Sequence, residues 1–200
     1  MLKKIAFLFF ALLSAITTNA ADTSKQATKI LDKVADKVSV SKGVTMSFSI
    51  SGAKINQTGT IQIKGKKFHA HTPNADMWFD GTTQWVLNKN SEEVNVSHPN
   101  ASRQATMNPY TFLHLYKQGY TKSVETKGNQ YIVHLVGKGK SISEMYVTVD
   151  KSYNLKQVKY KQGNNWMTIN ISNIKNQALG DSNFQFNRKD YPHAEIIDLR

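Results

Sequence analysis

The chain has 200 residues, a formal net charge of +12 and no cysteine. That length suits one domain with a sizeable core. The missing thiol excludes disulfides, thiol catalysis and cysteine-held metals, so packing must hold the fold. The 26 Lys and Arg are spread along the chain with no block of five like charges, which favours a solvated basic surface over a nucleic-acid tail.

Residues 1–20 read as an export signal. Lys3 and Lys4 precede an apolar run from Ile5 to Leu13, and Thr18-Asn19-Ala20 supplies small residues for cleavage after Ala20 or Ala21. The run is too short for a membrane span, which takes roughly 20 apolar residues. No cysteine is available to carry lipid, so residues 21–200 are expected to form one soluble, exported domain. Removing Lys3 and Lys4 leaves a charge of +12 − 2 = +10.

The first expected element is a helix. Ala27, Ile30, Leu31, Val34 and Val38 follow i, i+3, i+4 spacing, with Asp22, Thr23 or Ser24 as cap and Gly43 as terminator. The period then becomes two. Val44, Met46, Phe48 and Ile50 alternate with polar residues, and Asn56 to Gly59 reads as a turn before Ile61 and Ile63. Phe68 to His71 makes a short strand. Asp80-Gly81 separates Met77-Trp78-Phe79 from Gln84-Trp85-Val86-Leu87, a hairpin signal, and Val94 and Val96 follow the turn Asn88–Ser91.

Residues 97–108 read as a loop. Asn108-Pro109 then opens a short apolar helix containing Phe112, Leu113, Leu115 and Tyr116, which Gly119 stops. Strands return at Tyr131–Val136, Met145–Val149, Leu155–Tyr160 and Met167–Ile171, and the tail from Phe184 to Ile197 has little periodicity. About nine or ten strands with two helices predict a mainly β domain, a large curved antiparallel sheet with helices on its concave side.

Little in the sequence points to catalysis. His69 and His71 would share a strand face, but no nearby Asp, Glu or Cys is expected to complete a ligand set, and Lys66 and Lys67 would repel a metal. His98, His114, His134 and His193 are scattered, and Glu92-Glu93 point to opposite faces. No nucleophile elbow or phosphate loop occurs. No metal, cofactor or catalytic residue is therefore expected. The basic and aromatic run Lys64, Lys66, Lys67, Phe68 suits a nucleic-acid surface only weakly in an exported chain. The inward aromatics admit two readings, an ordinary core or a cavity for acyl chains lidded by helices.

The order Gly59-Thr-Ile-Gln-Ile-Lys64, Phe68, Asp80-Gly81-Thr-Thr-Gln-Trp85, Val94 resembles the periplasmic outer-membrane lipoprotein carrier family, LolA. Asn108-Pro109 with Phe112-Leu113 is similar to that family's mid-chain helix, Val147–Asp150 with Leu155 to its late hairpin, and Asn173-Ile174 to Phe186 to its closing strand and turn. The resemblance implies an incomplete, strongly curved antiparallel barrel with helices plugging its open concave side. It also implies a periplasmic carrier, not an enzyme. Such a carrier takes triacylated proteins from an inner-membrane ATP-driven transporter and delivers them to an outer-membrane acceptor. On this reading the acyl cavity comprises Met46, Phe48, Ile50, Ile61, Ile63, Phe68, Met77, Phe79, Trp85 and Leu87 on strands. Phe112, Leu113, Tyr116, Ile30, Leu31 and Val34 line it from helices, and the protein is a monomer.

One departure stands out. The family's lid-holding Arg falls at Gly65, flanked by Lys64, Lys66 and Lys67, and a Trp-like position is Ala70. Lysine cannot supply Arg's bidentate contacts, so these three are expected to steer the chain to a partner or to anionic headgroups. Three alternatives share the pattern: a domain of the same shape binding another lipid or sensing envelope stress, an exported lipid or glycan hydrolase, and a solid-cored structural domain.

Overall fold

Alternation after Gly43 produces a single twelve-stranded sheet in the computed structural model, which describes residues 20–37, 42–100 and 115–200. Helix α1 (Ala20–Lys37) precedes β1 (Val44–Gly52), β2 (Ile55–Lys64), β3 (Lys67–His71), β4 (Ala75–Phe79), β5 (Gln84–Asn88) and β6 (Glu93–Ser97). Next come β7 (Thr121–Lys127), β8 (Gln130–Val136), β9 (Ile142–Asp150), β10 (Leu155–Gln162), β11 (Asn165–Asn176) and β12 (Glu195–Asp198). The sheet order is β12-β6-β5-β4-β3-β2-β1-β11-β10-β9-β8-β7. Every pairing is antiparallel except β12 with β6. The sheet is strongly curved but not closed, with β12 and β7 as its edges. Register shifts in β1 against β11 and in β10 against β9 help it bend, because an extra unpaired residue kinks a strand.

Local chemistry moves one expected turn. The β1–β2 connection is Ala53-Lys54, with φ of 46° and 68°. Two consecutive positive φ angles give the turn whose twist matches a right-handed hairpin, at a cost of about 1–2 kcal/mol per non-glycine residue. Asn56 to Gly59, expected as a turn, is instead paired strand, with Gly59 opposite Phe48. A Cβ at Gly59 would stand 2.2 Å from the His71 carbonyl oxygen and 2.8 Å from the Phe48 ring, so the ring lies where only glycine leaves room.

The concave face carries the main core. Met46, Ile61, Ile63, Phe68 and Phe79 from one half of the sheet join Val133, Leu135, Met145, Val147 and Val158 from the other. The helix contributes Ala27, Ile30, Leu31 and Val34, all buried, four of the five residues of the expected stripe, and Val38 lies outside the described residues. It packs along β7 and so covers that sheet edge. The expected caps Asp22, Thr23 and Ser24 lie inside the helix, and Thr23 Oγ1 donates back to the Ala20 carbonyl at 3.0 Å.

Two strands escaped the sequence reading. Strand β7 has one half-buried apolar residue, Val124, so it shows no alternation. Strand β12 lies in the tail, where two 3₁₀ turns, Asp181–Phe184 and Arg188–Asp190, lead the chain across the outer face of the sheet. There Trp78, Leu87, Val94 and Val96 are buried with Ala194 against Trp85, Phe186 and Tyr191. Among the described residues no helix is long and apolar enough to cross a membrane.

Candidate functional site

The residues expected to line a cavity divide into three groups. Met46, Ile61, Ile63, Phe68, Phe79, Ile30, Leu31, Val34 and Tyr116 are buried together in the concave core. Phe48, Ile50 and Met77 are half-buried against that core. Trp85 and Leu87 are corrections. Trp85 pairs with Trp78 and Leu87 with Asp76, whereas Phe79 pairs with Gln84 and Met77 with Val86. That register sends Trp85 and Leu87 to the outer face, under the C-terminal segment. Phe112 and Leu113 lie outside the described residues. Of the short helix that was to hold them, Leu115 and Tyr116 are buried, and Gly119 leads the chain out with φ of 75°.

The lysine run is also used differently. Lys64 and Lys67 both point to the outer face. Lys64 Nζ donates to the Leu179 carbonyl at 2.8 Å, and the two ammoniums lie 3.3 and 3.0 Å from the Asp181 carboxylate. Hydrogen bonds from Lys67 and then Lys64 lower the Asp181 pKa. These lysines tie down the C-terminal segment, sharing the one Asp181 carboxylate between them. Lys66 is exposed in the β2–β3 turn beside Gly65, whose φ is 58°.

What holds α1 over the concave face is a different set. The Tyr116 hydroxyl donates to Asp32 at 2.5 Å, and Lys117 Nζ stands 3.6 Å from the same carboxylate. Burial, then the bond to Asp32, pushes the Tyr116 pKa well up, so the phenol stays a donor. On the other flank Lys33 Nζ donates to the Tyr153 hydroxyl at 3.1 Å, and Lys37 Nζ to the Ser152 carbonyl at 2.7 Å. Both acceptors sit in the β9–β10 turn. The Asp150 carboxylate organises that turn, accepting from the Ser152 and Asn154 amides at 2.9 and 2.8 Å. Desolvation raises its pKa, but the Asn154 bonds and Lys156 outweigh that and hold it at about 2. Sequence reasoning missed this flank. The recurrence of Lys29, Lys33 and Lys37 at every fourth residue was the available signal.

The histidines find acids across strands rather than along the chain. His71 Nδ1 and Lys89 Nζ lie 2.6 and 3.2 Å from buried Asp76 Oδ1, neither aligned for a hydrogen bond to it, and the Tyr191 hydroxyl donates to Oδ2 at 3.4 Å. His134 Nε2 stands 2.9 Å from Glu144. His69 stacks on Trp78 at 4.8 Å, and its buried Nε2 has no partner. Desolvation lowers the His69 pKa, only partly opposed by Asp76. All these groups face outward, away from the concave core. Among the described residues no three His, Asp or Glu are grouped to hold a metal ion.

Residues 16–164 match the family described as "Outer membrane lipoprotein carrier protein LolA". The fold is similar to that of an uncharacterized conserved protein from Thermus thermophilus, at 11% identity over 86% of this chain and 99% of that one, with a TM-score of 0.58. Weaker likenesses include a LolA superfamily protein from Nitrosomonas europaea (11% identity, 80% and 97% covered, TM-score 0.45) and the Mycobacterium tuberculosis lipoprotein LppX (11%, 78% and 96%, TM-score 0.41). No curated protein matches the chain.

Proposed function

The chain belongs to the outer-membrane lipoprotein carrier family, and from that premise we propose that it is a periplasmic carrier that shields the acyl chains of lipidated proteins against the concave face of its sheet. The observation carrying this reading is the character of that face. One side of an open sheet is continuously apolar, and its described cover is a single amphipathic helix with Leu115 and Tyr116. Acyl chains would take the place of α1 against Met46, Ile61, Ile63, Phe68 and Phe79, and enter beside half-buried Phe48, Ile50 and Met77. Each CH₂ removed from water contributes about 0.8 kcal/mol, so one long chain can compete with the three large apolar residues of α1, each worth about 1.5–3 kcal/mol. Loading by an inner-membrane transporter and delivery to an outer-membrane acceptor complete the proposal. The placement of the His–acid pairs on the outer face supports carriage over hydrolysis.

Closure is rebuilt on this reading. By the resemblance the family's Arg falls at Gly65 or next to it, where no Arg stands, and α1 is latched by Lys33, Lys37 and the Asp32–Tyr116 bond instead.

Titration with a fluorescent fatty-acyl probe tests the proposal. The wild type should bind the probe and release it to a triacylated lipopeptide. Phe48→Glu, at a half-buried site, should bind at least about tenfold more weakly, the effect of a charge facing an apolar ligand. Equal binding by both proteins would refute an acyl site on this face.

A further inference from the structure

Lys29 and Lys33 line a cleft of about 340 Å³ between α1 and the sheet, and Lys37 follows one helical turn on. Ile30 and Asp32 line it from the helix, Tyr131 and Tyr153 from the opposite wall. Ile30 also belongs to the concave core, so the cleft abuts the apolar interior at that side chain.

Cations gather there on neutral partners. Lys33 Nζ bonds the Tyr153 hydroxyl and stands 4.3 Å from its ring centroid. Lys151 Nζ stands 3.8 Å over the Tyr131 ring, which stacks on Tyr153 at 6.0 Å. Lys37 Nζ rests on a carbonyl oxygen, and Lys29 is exposed. Of the nearby acids, Asp32 in the lining is bound by Tyr116 and paired with Lys117, Asp150 is bound within its own turn, and Asp36 is exposed on the helix. A phenol, a ring face and a carbonyl leave an ammonium's charge unneutralised.

The wall is held in a costly shape. Tyr153 has φ of 61°, a region disfavoured for a bulky residue, and its amide donates to the Asp150 carbonyl at 2.9 Å. The turn thus keeps the ring aimed at the helix against a local preference, which is the pattern of a ligand clamp.

We propose that the lysines of this cleft bind the phosphate of an acyl lipid headgroup while the lipid's chains displace the apolar stripe of α1, Ile30 included, from the concave face. Several ammoniums around one opening suit an oxyanion with more than one charged oxygen, and lysines hold phosphate as point charges. The proposal rests on the reading that the concave face takes acyl chains.

The experiment compares dispersed phosphatidic acid, uncharged diacylglycerol and inorganic phosphate as ligands. The proteins are wild type, Lys29→Gln/Lys33→Gln/Lys151→Gln and Tyr153→Phe. Wild type should bind phosphatidic acid more tightly than diacylglycerol, and the preference should shrink as salt rises. The triple variant should lose about tenfold or more in phosphatidic acid affinity relative to diacylglycerol, which it should bind at least as tightly as wild type because Lys33→Gln also loosens the latch on α1. Tyr153→Phe should lose less. An unchanged ratio of phosphatidic acid to diacylglycerol affinity in the triple variant would overturn the headgroup site. Inorganic phosphate binding as tightly as the lipid would overturn a lipid ligand in favour of a free anion. Failure of wild type to bind diacylglycerol, with phosphatidic acid still held by the lysines, would overturn the acyl reading and keep the phosphate site.

Discussion

Leu31→Ala separates a lid from a wall. Leu31 is 1% exposed and sits in the α1 stripe between Ile30 and Val34. Truncating a buried leucine costs about 2–5 kcal/mol, the spread depending on how far the site collapses. For a chain of this size a loss near 3 kcal/mol lowers Tm by roughly 6–12 °C. If α1 is a lid that competes with acyl chains, the same loss favours the open state. Apparent affinity scales with the fraction of open protein, so acyl-probe binding should tighten, by up to about a hundredfold where the closed form dominates. The assay pairs a thermal melt with a probe titration on the same sample. Binding that weakens as the melt falls would refute the lid, because α1 would then be part of the surface the ligand needs. A melt shift under about 2 °C would refute the packing argument itself.

Two further outcomes follow from the outer face. Burial lowers the His69 pKa, so below pH 6.5 the unfolded chain takes up a proton that the folded ring refuses, and stability should fall as pH drops through that range. In melts from pH 8 to pH 5, His69→Gln should flatten that decline, and an unchanged slope would assign the effect elsewhere. Lys64→Gln/Lys67→Gln should speed protease cleavage around residues 179–184 with little change in Tm; an unchanged cleavage rate would show that buried Phe184 alone holds that segment.

The legible parts of the fold are those where one face is wet. Met46 and Phe48 alternate with Thr45 and Ser47 because the outer side of β1 meets solvent, and α1 announces itself for the same reason. Strand β4 defeats the reading because Trp78 and Phe79 are adjacent and both buried, one on each face. Periodicity groups residues by side but does not say which side is concave, so Trp85 joined the wrong set once the C-terminal segment covered the outer face. Strand β12 offered no apolar alternation, since Glu195, Ile196 and Asp198 are exposed and the strand is held by its backbone, as in the Leu199 amide bond to the Val96 carbonyl at 2.8 Å. The His71–Asp76 and His134–Glu144 pairs join neighbouring strands, a proximity that only the register creates.

The parallel pairing of β12 with β6 ties Glu195 to Glu93, a separation of 195 − 93 = 102 residues. The central pairing of β1 with β11 spans even more, from Val44 to Asn176. The chain therefore has no self-sufficient half. Its first six strands lack both an inner neighbour and an outer cover until residues that come last have arrived. Such distant closures make folding slow compared with helical domains. Any single cut between β6 and β7 would leave two fragments that need each other, with β1, β6 and β11 as the open seams.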